Sequence, residues 1–366
     1  MTVAMPPAEM ARRGLRGHID DAIDGVVDYR SIVPLRIAAG PLLLGHLAPA
    51  LADSLDGRTY RDVFHIPVTG WYPELPDPLF VVALWAAAAS AVLLSCGLFT
   101  RQASIGAAGF MTYHLFLTET HYHHNRAFLA VLLVFLALVP AGERVSLDAR
   151  LGRVKSPEPG FGVRWPLTLV RFQVGAVYAA SGISKLVDGD WFGGTVLYLR
   201  VAAQAEAAVA GGVPVAIVDL ASSAGFHLWF AKLVVLTEIL IGVGLWFGRT
   251  RWVAVWLAVA FHLAIELTAD VELFSYAALV ALVIWVVPRS KDRALDAPNP
   301  WARIAALLDW TGRLSITTGP WRLIDRNGQV AVGWDAALRS AVLLPATFLV
   351  AAPLWALRGV RSHDPG

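Results

Sequence analysis

The stretch Val170 to Gly194 reads VRFQVGAVYAASGISKLVDGDWFGG. It ends a membrane-length apolar run with Arg171, Tyr178, Ser181, Lys185, Asp190 and Trp191. Ionisable groups inside or at the edge of a bilayer are energetically costly, so those that sit there mark functional positions by default. Lys185 is therefore the first candidate for chemistry, and the apolar run before it decides the fold class. The same character extends over the whole chain: 57% of its 366 residues are hydrophobic and only 16% charged, with 14 Trp and a mean hydropathy of +0.58. These proportions describe a polytopic membrane protein, an all-α transmembrane bundle.

Windows long enough to cross a hydrocarbon core of about 30 Å fall near 33–52, 79–99, 103–117, 127–140, 165–183, 226–247, 252–267, 272–288 and 340–358. This predicts about eight or nine spans. Between the fifth and sixth, the Ala- and Gly-rich region 192–225 holds Arg200, Glu206, Asp219 and the turn Gly211–Pro214. It reads as re-entrant or amphipathic pieces that line a cavity. Residues 1–30 are polar, carry Arg12, Arg13, Arg16, Asp20 and Asp21, and lack the short apolar core of a cleavable signal. They are expected to be a cytoplasmic segment, followed by a bundle over 31–290, a cytoplasmic loop over 291–339 and a last transmembrane helix over 340–358. Within that loop, alternation around Asn327-Gly328 predicts a small hairpin.

Basic residues set the orientation. Arg144, Arg150, Arg153, Lys155 and Arg164 share one connection, Arg249 and Arg251 another, and Arg289, Lys291 and Arg293 a third. If these loops are cytoplasmic, parity makes the N-terminus and the Arg101 loop cytoplasmic too. The opposite ends then hold His121, His123, His124, Asn125, Arg126, Lys185, Asp190, Trp191, Glu266, Asp270 and Glu272. Ionisable groups left unexplained by the loops thus converge on one extracytoplasmic mouth of a multi-pass cell-membrane protein.

Several chemistries fit pieces of this mouth. The segment HYHHN at His121 to Asn125, with His114 seven positions earlier, allows a metal site, although ordinary hydrogen bonding at headgroup depth is the preferred reading and no metal is expected. His227 and His262 each lie in an apolar helix and are expected to be interhelical hydrogen-bond partners. Ser181 lies one helical turn before Lys185, as a nucleophile dyad needs and as close helix packing also selects. Arg171 is expected to pair with Glu238 as a structural ion pair. Lys185 can snorkel to the interface beside Asp190. Alternatively, an amine desolvated among apolar neighbours sheds its proton more readily and becomes a general base. The formal charge of +2, with no basic cluster interleaved with aromatics, excludes nucleic acid as a partner. The single cysteine, Cys96, excludes an intramolecular disulfide, a cysteine-based zinc site and dithiol chemistry.

The pattern Arg171-x6-Tyr178-x3-Gly182-x2-Lys185-Leu186, followed by Asp190-Trp191 and Gly194, resembles the central signature of the HTTM family, the membrane domain of vitamin K-dependent gamma-carboxylases and of many bacterial proteins. His124-Asn125-Arg126-Ala127-Phe128-Leu129 is similar to that family's polar turn, and Phe261-His262 with Glu272-Leu273-Phe274 to a later stretch. The resemblance covers roughly 20–290. It implies that Lys185 is the general base toward reduced vitamin K or menaquinol, with oxygenation or carboxylation as outcome. It also implies catalytic roles for Asn125 and His124 and substrate contacts from Tyr178, Trp191, Asp190, Arg126 and His262. The carboxylases carry a histidine where this chain has Arg126. They also continue into a large lumenal domain, and no such docking module for a protein substrate is expected here. The alternative reading is a non-enzymatic membrane factor of a bacterial peptide maturation, export or immunity system. A third is a scaffold in which Lys185 and Asp190 only anchor a helix end.

Overall fold

A computed structural model describes residues 20, 23–62, 65–202, 205–268, 273–286 and 291–361. Arg12, Arg13, Arg16, Asp21, Asp270, Glu272 and Arg289 lie outside the described residues, as does the Glu206 side chain. The chain divides into two units, Met1–Tyr29 with Val33–Trp285, and Arg30–Ile32 with Val286–Gly366.

The first unit is built on α1 (Ile32–Leu55), α2 (Asp77–Cys96), α3 (Thr100–Leu117), α4 (His124–Leu138), α5 (Arg164–Val187), α6 (Ala224–Gly244), α7 (Arg251–Thr268) and α8 (Phe274–Ala281). A 3-10 turn, Leu282–Trp285, extends α8. Three of these helices, α1, α2 and α6, are long and apolar enough to cross a membrane, while α4 and Phe274–Trp285 are shorter apolar helices. Of the expected eight or nine spans, three meet that length and hydropathy among the described residues. α5 has the length, 24 residues, but Arg164, Arg171, Gln173, Ser181 and Lys185 dilute its apolar character. The region after α5 folds into four short helices, Gly189–Phe192, Thr195–Ala202, Ala205–Ala210 and Val215–Ala221.

Local chemistry explains the helix ends. Pro76-Asp77-Pro78 starts α2 with proline at a position whose amide needs no partner and an acid in the first turn. Gly97 ends it at φ 70, and Leu98 N donates back to Leu93 O at 2.9 Å. A side chain at Gly97 would also collide with Arg36 and Ser146. Arg36 is completely buried and spends its guanidinium on the carbonyls of Val145 at 2.7 Å and Leu94 at 3.5 Å. Asp148 accepts from the Phe99 amide at 3.0 Å and from the Thr100 amide and hydroxyl, each at 2.9 Å. Burial raises the Asp148 carboxyl, but these donors and Arg153 outweigh it and hold the group below its ordinary range.

The all-α expectation is corrected by six short strands. β1 (Val26–Asp28) pairs antiparallel with β2 (Phe161–Val163), tying the start of α1 to the start of α5. The second unit holds β3 (Arg293–Ala297), β4 (Leu314–Thr318), β5 (Arg322–Ile324) and β6 (Val330–Val332) in the order β4-β3-β5-β6. β3 and β4 are parallel and joined through helix α9 (Asn299–Leu308); β5 and β6 run antiparallel. Leu295, Ala297, Ala302, Ala305, Leu314 and Leu323 contribute to its core. Residues 291–339, expected as a loop, are therefore a small α/β unit in which Asn327-Gly328 forms the β5–β6 turn, with Gly328 at φ 77. Strands of three to five residues have too little hydrophobic alternation to stand out in sequence. The stretch 340–358 is not one continuous helix. It breaks at Leu344–Thr347, around Pro345, into α10 (Gly333–Leu343) and α11 (Phe348–Arg361), which pack together.

Candidate functional site

The candidate site begins with how closely α5 and α6 approach. A Cβ at Gly182 would lie 2.9 Å from Ile239 Cγ1 and 3.2 Å from Glu238 Cβ, and one at Gly242 would lie 2.9 Å from Ala179 N. Small residues on both helices let the backbones touch, as at tight crossings in membranes. Residues 178, 181 and 185 repeat at three- and four-residue intervals and share one face of α5. That face delivers Ser181 and Lys185 to Glu238 on α6.

Lys185 Nζ donates to Glu238 Oε1 and Oε2, each at 2.8 Å, and to Ser181 Oγ at 2.5 Å. Ser181 Oγ donates to Glu238 Oε1 at 2.9 Å. The Glu238 side chain is only 5% exposed and that of Lys185 17%. A buried carboxylate and ammonium are thus satisfied by each other and by one hydroxyl. The Trp191 ring covers the amine, its centroid 5.1 Å from Nζ, and Arg200 packs on the same ring at 5.5 Å. Trp191 is set by a short cap in which Asp188 accepts from the Asp190 and Trp191 amides at 2.9 and 3.2 Å. Asp190 itself is exposed. The carboxylate at the lysine is therefore Glu238 and not Asp190.

Deeper along the same face, Tyr178 is 4% exposed and its hydroxyl meets His262 Nε2 at 2.8 Å. His262 Nδ1 reaches Ser275 Oγ at 3.3 Å. This second polar layer joins α5, α7 and α8. Phe274 packs edge-on against His262 at 5.6 Å and against Phe128 at 6.0 Å. A chain of rings thus runs from the Tyr178 layer to α4, one turn beyond Asn125.

The polar turn at the head of α4 is built differently from the expected catalytic arrangement. Asn125 is buried, and its amide donates to His123 Nδ1 at 3.4 Å. Arg126 Nη1 donates to the His121 carbonyl at 3.2 Å. His124 is exposed and its ring meets Tyr122 at 5.8 Å and His123 at 6.3 Å, not the Lys185–Glu238 pair. His114 and His121 stack ring on ring at 4.1 Å. Burial, then the Arg126 charge, lowers His121 to about 4.

Two expected partnerships are corrected. Arg171 donates through Nε and Nη2 to the Ile284 carbonyl at 3.3 and 3.1 Å and lies over the Trp285 ring, while Glu238 belongs to Lys185. Among the described residues, His227 makes no interhelical hydrogen bond. It is 1% exposed, both ring nitrogens lack a partner, and Tyr198 and Phe226 pack edge-on against it. Glu238 was the residue sequence reasoning misassigned. The available signal was that it is the one acid in its apolar span, which demands a cation. Its partner is set by the glycine-mediated crossing, which spacing along one helix does not reveal.

Two cavities are lined by residues of α3 and α4, by the loops beside them and by Trp165 at the start of α5, and neither is lined by Lys185, Glu238 or Tyr178. Membrane-length apolar helices with a Lys–Glu pair between α5 and α6, its carboxylate buried, define an integral membrane protein with a polar interhelical site. The HTTM domain model matches residues 26–289. The chain belongs to the HTTM family, the carboxylase-related group of membrane proteins. No curated protein and no solved structure matches it.

Proposed function

We propose that this protein is a membrane enzyme whose Lys185–Ser181–Glu238 cluster accepts a proton from the hydroxyl of a lipid-soluble, quinol-type substrate. The observation that carries the reading is the buried pair itself: both Glu238 oxygens and the Ser181 hydroxyl lie within 2.8 Å of Lys185 Nζ. Such a pair holds one transferable proton. Whether that proton sits on Nζ or on the carboxyl, taking up one more gives the same product: an ammonium on Lys185 beside a protonated Glu238. The cation then remains next to the place where negative charge develops on substrate oxygen. This differs from a bare lysine base, because Glu238 is part of the proton acceptor.

The residues present fit a flat aromatic hydroxyl donor. Trp191 offers a ring face at the amine, and Tyr178 with His262 provides a second donor–acceptor layer on the same helix face. A reduced vitamin K or menaquinol would supply the acidic hydroxyl and the electrons for reaction with oxygen. In this reading eight helices cross the bilayer with the N-terminus cytoplasmic. Contacts within the first unit support it. Arg36–Val145, Phe99–Asp148 and the β1–β2 pair gather one set of loops. Ile66 and Thr118 hydrogen-bond at the other end of α3.

Oxygen uptake with reduced menaquinone, and mass spectrometry of copurifying quinone, test the proposal on wild type, Lys185→Ala and Glu238→Gln. Uptake by wild type that both substitutions abolish is the expected result. Uptake that is undiminished in folded Lys185→Ala, or absent from wild type together with any bound quinone, overturns it in favour of a non-enzymatic role.

A further inference from the structure

Outside the Lys185 site, two cavities meet beside α3 and α4. One, about 580 Å³, is lined by Arg101, Arg153, Lys155 and Trp165 together with Asp148 and Glu143. The other, about 530 Å³, is walled by Ile105, Ala108, Gly109, Thr112 and Val134. Arg101, Ala137 and Leu138 line both. A charged chamber and an apolar groove therefore adjoin across these three residues.

The charges in the chamber are not equally available. The Asp148 carboxylate is occupied by Phe99, Thr100 and Arg153, the last at 3.8 Å. Glu143 accepts the Gly160 amide at 2.6 Å. The Arg153 guanidinium lies 4.2 Å from the centroid of the Phe99 ring. Arg101 and Lys155 are exposed and make no hydrogen bond or ion pair among the described residues. Two cations thus remain to meet an anion, at the mouth of a groove whose walls suit hydrocarbon. Trp165 and Tyr113 add amphipathic rings of the type that settle at headgroup depth.

We propose that these joined cavities bind an anionic phospholipid, its phosphate between Arg101 and Lys155 and one acyl chain along the α3–α4 groove. Neither the Lys185 chemistry nor its substrate enters this argument. The full chain in neutral detergent is mixed with phosphatidylglycerol, phosphatidylcholine or inorganic phosphate, and bound lipid and melting temperature are measured. Phosphatidylglycerol is expected to be retained and to raise the melting temperature, and the other two are not. Arg101→Ala with Lys155→Ala should weaken its retention at least about tenfold, since each basic group near an anionic lipid contributes about fivefold. Gly109→Phe supplies the second readout, because a side chain at Gly109 enters open space. It should weaken long-chain phosphatidylglycerol and leave a short-chain analogue unaffected. Equal retention of the two phospholipids, an unchanged double variant, or equal protection by inorganic phosphate alone overturns the proposal.

Discussion

Replacing Lys185 with methionine should destabilise the protein by roughly 3–5 kcal/mol, the range found when one partner of a buried ion pair is removed. The substitution keeps the apolar stem and removes the ammonium that lies 2.8 Å from both oxygens of a 5% exposed carboxylate. Glu238 is then left with the Ser181 hydroxyl alone, and most of the loss is the cost of an uncompensated group in an apolar surrounding, not the worth of the pair itself. The assay is a double-mutant cycle with Lys185→Met, Glu238→Leu and the double substitution, followed by denaturant unfolding in detergent. The double variant removes both charges together and should recover most of the loss, giving a coupling of at least about 2 kcal/mol. Single-variant losses that add would refute the reasoning. That result would mean that the pair is hydrated and weakly coupled.

Three further expectations follow from the geometry. Gly182→Val should separate α5 from α6 and cost about 1–3 kcal/mol, because even a Cβ there meets Ile239 at 2.9 Å; a control at Gly225, whose Cβ would meet nothing within 4 Å, should melt like wild type. His121, lowered from 6.5 to about 4 by burial and Arg126, is neutral in the folded protein, so the stability it contributes is complete above pH 6.5 and declines as pH falls toward 4. His121→Gln should flatten that part of the melting-temperature profile, and an unchanged profile would remove His121 as its source. Tyr178→Phe leaves His262 Nε2 without its 2.8 Å partner and should cost about 1–3 kcal/mol; loss of the downfield resonance of the proton between Tyr178 Oη and His262 Nε2 would report the broken bond, and a stability equal to wild type would overturn the expectation.

What was legible in the sequence depended on whether the determinant lay along one helix. Tyr178, Ser181 and Lys185 were visible as a face because the α-helical period alone places them there. Trp191 was visible only through the family signature, since it lies beyond the end of α5 in the short helix Gly189–Phe192. The identity of the acid was not legible: the sequence pointed to Arg171 as the partner of Glu238 and to Asp190 beside Lys185, and the actual pairing depends on the angle at which α5 crosses α6. That angle follows from Gly182 and Gly242, whose role appears only when two backbones are seen within contact of one another. The same limit hid the four-stranded sheet, since the parallel pairing of Arg293–Ala297 with Leu314–Thr318 is a relation between segments. The opposite error arose at the C-terminus, where apolar composition over 340–358 suggested one helix while Pro345 at the Leu344–Thr347 break divides it. Composition reports what a segment can bury, whereas glycine contacts and prolines determine how it turns and what it meets. For a membrane bundle the consequence is direct: a charged residue's surroundings follow from the helix crossing that chooses its partner, and at Lys185 that crossing brings Glu238 and not Asp190 to the amine.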